Sequence, residues 1–79
     1  MRSVQKAGPQ LEIDLESGVP VLHQITRGLR RCLLEGSLAP GDLLPSSRAL
    51  ARDLGVHFNT VAQAYRELER EGWLALKRR

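Results

Sequence analysis

Leu44-Pro45-Ser46-Ser47-Arg48-Ala49-Leu50-Ala51-Arg52-Asp53-Leu54-Gly55-Val56-His57-Phe58-Asn59-Thr60-Val61-Ala62-Gln63-Ala64-Tyr65-Arg66-Glu67-Leu68-Glu69 reads as a short helix, a tight turn and a longer helix. Pro45 stops whatever precedes it, because it lacks an N–H and biases Leu44 away from helical angles. Ser46 or Ser47 supplies an oxygen that caps the next helix, on which Leu50, Ala51 and Leu54 fall on one side. Gly55 suits a left-handed helix stop, and Val56 is an apolar residue of the buried type in the turn. The following helix opens near 57–59, runs to Glu71 and is ended by Gly72. The succession is that of a helix-turn-helix.

The longer helix has two distinct sides. At about 100° per residue, Val61, Ala64, Tyr65 and Leu68 share one face. Asn59, Gln63, Arg66 and Arg70 line the other. Asn and Gln can bond adenine edges bidentately, Arg can bond guanine or phosphate, and a helix N-terminus favours a nearby phosphate. In a helix-turn-helix the early turns of the second helix are the ones that contact bases. The same side chains also suit an ordinary solvated face, so the rest of the chain has to be weighed with them.

The chain has 79 residues, enough for one small domain. Its three aromatics (Phe58, Tyr65, Trp73) leave the core to Leu, Ile, Val and Ala. No apolar run approaches the roughly 20 residues of a membrane span, and residues 1–18 hold no signal-peptide core, so a cytoplasmic protein is expected. One cysteine allows no internal disulfide, and Cys32, His23 and His57 lack metal-ligand spacing. Residues 1–44 carry five basic and five acidic side chains, whereas 45–79 carry seven and four. The whole net charge of +3 therefore lies with the helix-turn-helix and the tail Lys77-Arg78-Arg79, which fits a phosphate-contacting footprint and equally serves solubility. No nucleophile–base set, paired carboxylates or phosphate-cradling glycine loop occurs, so no enzyme and no catalytic residue is expected.

Outside the central stretch, residues 1–10 lack periodicity and read as a flexible arm. Leu11-Glu12-Ile13-Asp14-Leu15 alternates, which fits either a short half-buried strand or an extended arm laid on a helix or a partner chain. A turn over 16–20 leads to a first helix, Val21 to Glu35, with Leu22, Ile25, Leu29, Cys32 and Leu33 at helical spacing. Cys32 on that stripe reads as a small buried hydrophobe. Arg27, Arg30 and Arg31 lie off the stripe, on a face that is either solvated or set against DNA backbone. Gly36 ends the helix, residues 37–42 form a loop with a Pro-Gly turn, and Leu43 and Leu44 dock the chain ahead of Pro45. After Gly72, residues 73–79 begin as a strand, which needs a hairpin partner. This looks like the first strand of a wing, either truncated at 79 or minimal.

Taken in order, these features resemble the N-terminal domain of the GntR family of bacterial transcription regulators. The matching residues are Pro20 with Gln24-Ile25, the loop Glu35-Gly36-Ser37-Leu38-Ala39-Pro40-Gly41-Asp42, then Leu44-Pro45-Ser46-Ser47-Arg48 and Leu50-Ala51. Leu54-Gly55-Val56, Thr60-Val61, Ala64-Tyr65, Leu68-Glu69 and Glu71-Gly72 continue the pattern. Asn59-Thr60-Val61 with Ala64-Tyr65 is similar to the YtrA and MocR branches, and the lead-in from Ile13-Asp14 to Pro20 to the YtrA branch. The resemblance implies a mainly α fold with a small β-wing: a winged helix-turn-helix with a three-helix core over residues 11–79. The branches add a helical dimerisation segment or a domain that binds pyridoxal phosphate. Neither segment is in this sequence, so no cofactor is expected for it.

The resemblance also implies roles. Arg48 matches an arginine that contacts DNA backbone or bases; a surface ion pair with Asp53 is the alternative. His57, Phe58, Asn59 and Thr60 match the turn and helix start that enter the major groove, Thr60 either bonding phosphate or capping and packing. Lys77, Arg78 and Arg79 fall at the wing base, near the minor groove or backbone. Two departures stand out. Many members have Ser or Thr at 57 and Arg at 58, where this chain has His57, a weaker cap, and Phe58, which suits a thymine methyl. Many also have Arg at 62, where this chain has Ala62, so the family's operator sequences do not transfer.

The expected function is sequence-specific binding of double-stranded DNA by a transcription regulator, with helix 58–71 in the major groove. A homodimer on a palindromic operator is expected, formed either through a segment outside this sequence or through Leu11–Leu15 and the first helix. The candidate contacts are Ser46, Ser47, Arg48, His57, Phe58, Asn59, Thr60, Gln63, Arg66, Lys77 and Arg78. Gln63 enters from the helical face alone. The alternative is a winged helix used for protein–protein interaction, which requires an apolar patch where the DNA face would be.

Overall fold

The computed structural model describes residues 11–38 and 44–74, and these form three helices. They are α1 (Val21–Glu35), α2 (Ser47–Leu54) and α3 (Phe58–Arg70). Helix α3 packs on both α1 and α2. Its inner residues Val61, Ala64, Tyr65 and Leu68 are all buried, as the periodicity predicts. They meet Ile25, Leu29 and Cys32 of α1, Leu50 and Ala51 of α2, and Leu38. The core is thus aliphatic, with Tyr65 its only buried aromatic among the described residues.

Each helix is bounded by a local device. Ser46, rather than Ser47, caps α2: its Oγ accepts the Ala49 N–H at 3.0 Å. Gly55 stands at φ +74, where a side chain would be strained, and the Val56 N–H donates back to the Ala51 carbonyl at 3.0 Å. That reversal turns the chain into α3 within three residues. His57 caps α3 through its ring: Nδ1 accepts the Asn59 N–H at 3.2 Å. At the far end, Gly72 donates to the Glu69 carbonyl and Trp73 to the Leu68 carbonyl, closing the helix by a left-handed turn. Trp73 is therefore part of this helix stop, and Trp73 and Leu74 are not in a strand. Both pack partly buried on the core. The rest of the expected wing strand, with Lys77 and Arg78, lies outside the described residues, as do the expected arm at 1–10 and the Pro-Gly turn with Leu43.

Residues 11–15 form no strand. They are the extended arm of the second arrangement, laid on the chain's own core: Leu11 and Ile13 pack against it. Leu11 reaches Gly28 so closely that a Cβ there would stand 2.7 Å from its Cδ2. Leu15, 66% exposed, does not join them. Gln24 stitches this segment to α1. Its Oε1 accepts the Asp14 N–H at 2.8 Å, and its Nε2 donates to the carbonyls of Asp14 at 3.0 Å and Val19 at 2.8 Å. At the opposite end of α1, Arg30 pairs with Glu71 at 3.4 Å, a half-exposed bridge worth at most about 1 kcal/mol.

Candidate nucleic-acid interface

The face of α3 away from the core carries Asn59, Gln63, Arg66 and Arg70, all exposed. The helix beneath is held rigidly, since Val61 and Leu68 are fully buried. Its N-terminal turn stands free of acidic side chains, so the positive end of the helix dipole is not neutralised there. Thr60 is half-buried, and its backbone N–H donates to the His57 carbonyl at 3.1 Å. Ser46 is exposed, and although its oxygen caps α2 the hydroxyl proton remains available to donate. Ser47 is half-buried in the first turn of α2.

The corner between the two helices holds an aromatic–cation stack. The Arg48 guanidinium lies over the Phe58 ring, 4.4 Å from its centroid. The His57 ring stacks on Phe58 with centroids 5.2 Å apart and planes inclined by 25°. Arg48 thus leans on Phe58 and forms no ion pair with Asp53, and the stack leaves the guanidinium's N–H edges unoccupied. Phe58, half-buried, supports the arginine and packs on the core with one ring. Sequence spacing gave no sign of this, because the two residues lie in different helices and meet only when α2 packs on α3.

The Tyr65 hydroxyl donates to the Pro45 carbonyl at 2.7 Å. Burial pushes the phenol above its ordinary range, so it stays a donor well into the alkaline range. Tyr65 was legible as a core residue, but not as the tie between α3 and the entry to α2. Among the described residues no group of His, Cys, Asp and Glu could hold a metal ion, and no helix is long and apolar enough to cross a membrane. Cys32 is buried, consistent with a packing role.

The arrangement places Ser46, Arg48, His57, Asn59, Gln63 and Arg66 on exposed positions of α2, the turn and α3, with Ser47, Phe58 and Thr60 half-buried beneath. Comparison with known proteins identifies the family. The family described as bacterial regulatory proteins, gntR family, matches over residues 22–79. The chain is 45% identical over 62 residues to the HTH-type transcriptional repressor YtrA of Bacillus subtilis (strain 168), an alignment covering 78% of this chain and 48% of that protein. It is 41% identical over 64 residues to the probable rhizopine catabolism regulatory protein MocR of Rhizobium meliloti, covering 81% of this chain and 13% of that one. It therefore spans about half the length of the first relative and far less of the second. Among solved structures, YtrA from Sulfolobus acidocaldarius, a GntR-family transcription factor, superposes with a TM-score of 0.82 at 43% identity, over 87% of this chain and 73% of that one. The chain belongs to the gntR family of bacterial regulatory proteins and carries that family's DNA-binding helix-turn-helix domain.

Proposed function

We propose that the exposed face of α3 enters the major groove of an operator and reads it through Asn59 and Gln63. The observation that carries this is the stripe of Asn59, Gln63 and Arg66 presented to solvent by a helix whose opposite face is locked in the core. Amides at the start of such a helix suit base edges, and arginines one turn further suit phosphate or guanine. Arg48, Ser46, Ser47, His57, Thr60 and Arg66 hold the backbone around that reading head, with Phe58 beneath them. Lys77 and Arg78, at the wing base of the domain taken as residues 11–79, add contacts to the minor groove or backbone. The protein acts as a homodimer on a palindromic site in the cytoplasm, because two such helices then meet successive major grooves about 34 Å apart. It performs no catalysis of its own.

A protein-docking winged helix would put an apolar patch on this face. The large exposed hydrophobics among the described residues are Leu15, Val19 and Leu34, which lie ahead of and on α1 and not on α3. The test is fluorescence anisotropy over a salt series. One duplex, of about 30 base pairs to hold two half-sites, is enriched by the chain from a random pool; the other is its scrambled counterpart. Tighter binding of the enriched duplex, with affinity falling steeply as salt rises, supports the reading. Salt-insensitive binding, or none from a folded chain, refutes it.

A further inference from the structure

We propose that Phe58 is a positioning residue for DNA binding: its ring holds the Arg48 guanidinium ready for a backbone phosphate at the corner of the two helices. The inference rests on the DNA-binding reading above. An exposed arginine samples many rotamers, and fixing it on a ligand costs entropy. Here the guanidinium already lies 4.4 Å from the Phe58 centroid. A stack engages the flat face of the guanidinium and leaves its N–H edges free, the geometry that a phosphate accepts.

The platform is itself fixed. Phe58 opens α3 and packs on the core, and the His57 ring stacks on it at 5.2 Å. No carboxylate among the described residues pairs with Arg48, so its charge is not neutralised by them. Arg48 lies in the first turn of α2, the helix that crosses the backbone in a helix-turn-helix complex. An apolar residue at 58 therefore supplies electrostatics indirectly, by aiming a cation carried on the neighbouring helix.

The test is a double-mutant cycle read by anisotropy on the enriched and scrambled duplexes. Phe58→Leu keeps apolar bulk against the core but removes the π face, and Phe58→Tyr restores it. Phe58→Leu is expected to weaken both duplexes alike, by about two- to fivefold, the size of an exposed cation–π contact. Phe58→Tyr should bind like the wild type. In an Arg48→Ala background, Phe58→Leu should cause no further loss. In the chain without DNA, the Arg48 side-chain proton resonances should show a ring-current shift that Phe58→Leu abolishes and Phe58→Tyr keeps. Wild-type affinity for Phe58→Leu, or an equal loss with and without Arg48, overturns the positioning role while leaving DNA binding intact. Absence of salt-sensitive binding by the wild type would remove the DNA reading and this role together.

Discussion

The Tyr65 hydroxyl donates to the Pro45 carbonyl at 2.7 Å, so the middle of the recognition helix is tied to the residue just ahead of the α2 cap. One bond thereby links the two ends of the helix-turn-helix corner across 20 residues of sequence. The Arg48–Phe58 stack bridges the same two helices nearer the turn. Apolar burial holds α3 against α1 and α2, and these two contacts join it to α2 and to the residue ahead of the α2 cap.

Removing only the hydroxyl should therefore destabilise the domain. Tyr65→Phe is expected to cost about 0.5–1.5 kcal/mol, the net value of one such bond, read as a lower urea midpoint with an unchanged slope. The buried hydroxyl also gives a pH signature. The unfolded phenol titrates near 10 and the folded one higher, because burial disfavours the phenolate. Above that point the folded state holds a proton that the unfolded state has released. This contribution is full below pH 10 and is lost as pH rises, by at most about 1.4 kcal/mol per unit. Tyr65→Phe should lack that part of the alkaline slope; an identical slope in both proteins would remove Tyr65 as its source.

Ser46 and Ser47 are adjacent hydroxyls with different tasks. Because only Ser46 accepts the Ala49 N–H, Ser46→Ala should cost about 1 kcal/mol and Ser46→Asp should retain most of it. Ser47→Ala should stay within about 0.5 kcal/mol of wild type. Thermal unfolding of the three variants separates them, and equal losses at both positions would contradict the cap assignment.

The segment ahead of α1 should loosen without global unfolding when Gln24 is truncated. Gln24→Ala removes three hydrogen bonds to residues 14 and 19. Amide hydrogen exchange at Asp14 should speed up markedly while Leu68, fully buried on α3, keeps its protection. Gly28→Ala probes the same seam. Alanine favours a helix over glycine by about 1 kcal/mol, but here its Cβ displaces Leu11. The gain should therefore be larger in a Leu11→Ala background than in the wild type.

These contacts mark how far the sequence carried the reading. The three helices, the buried stripe Val61-Ala64-Tyr65-Leu68 and the glycine stop at Gly55 were legible, because helical periodicity and left-handed φ are properties of local sequence. Gln24 was visible only as part of a family pattern; its work, clasping an irregular segment, depends on where residues 14 and 19 come to lie. The alternation at 11–15 suggested a strand as readily as an arm, since period two describes any extended chain with one buried side. The alternative weighed for Arg48, an ion pair with Asp53, followed charge and proximity along one helix, but the arginine lies on an aromatic ring from the next helix. His57 reads as a weak cap by residue type, yet its ring nitrogen fills the role.

The central claim is that the exposed amides of α3 read bases, and Gln63 tests it most directly. Its side chain is exposed and outside the core, so its removal should leave the fold unchanged. The measurement is the ratio of affinities for the enriched and scrambled duplexes, in wild type and in Gln63→Ala, at one salt concentration. The account predicts that this ratio falls by about 1–3 kcal/mol equivalent, while the dependence on salt is retained. An unchanged ratio in a folded Gln63→Ala chain would contradict it.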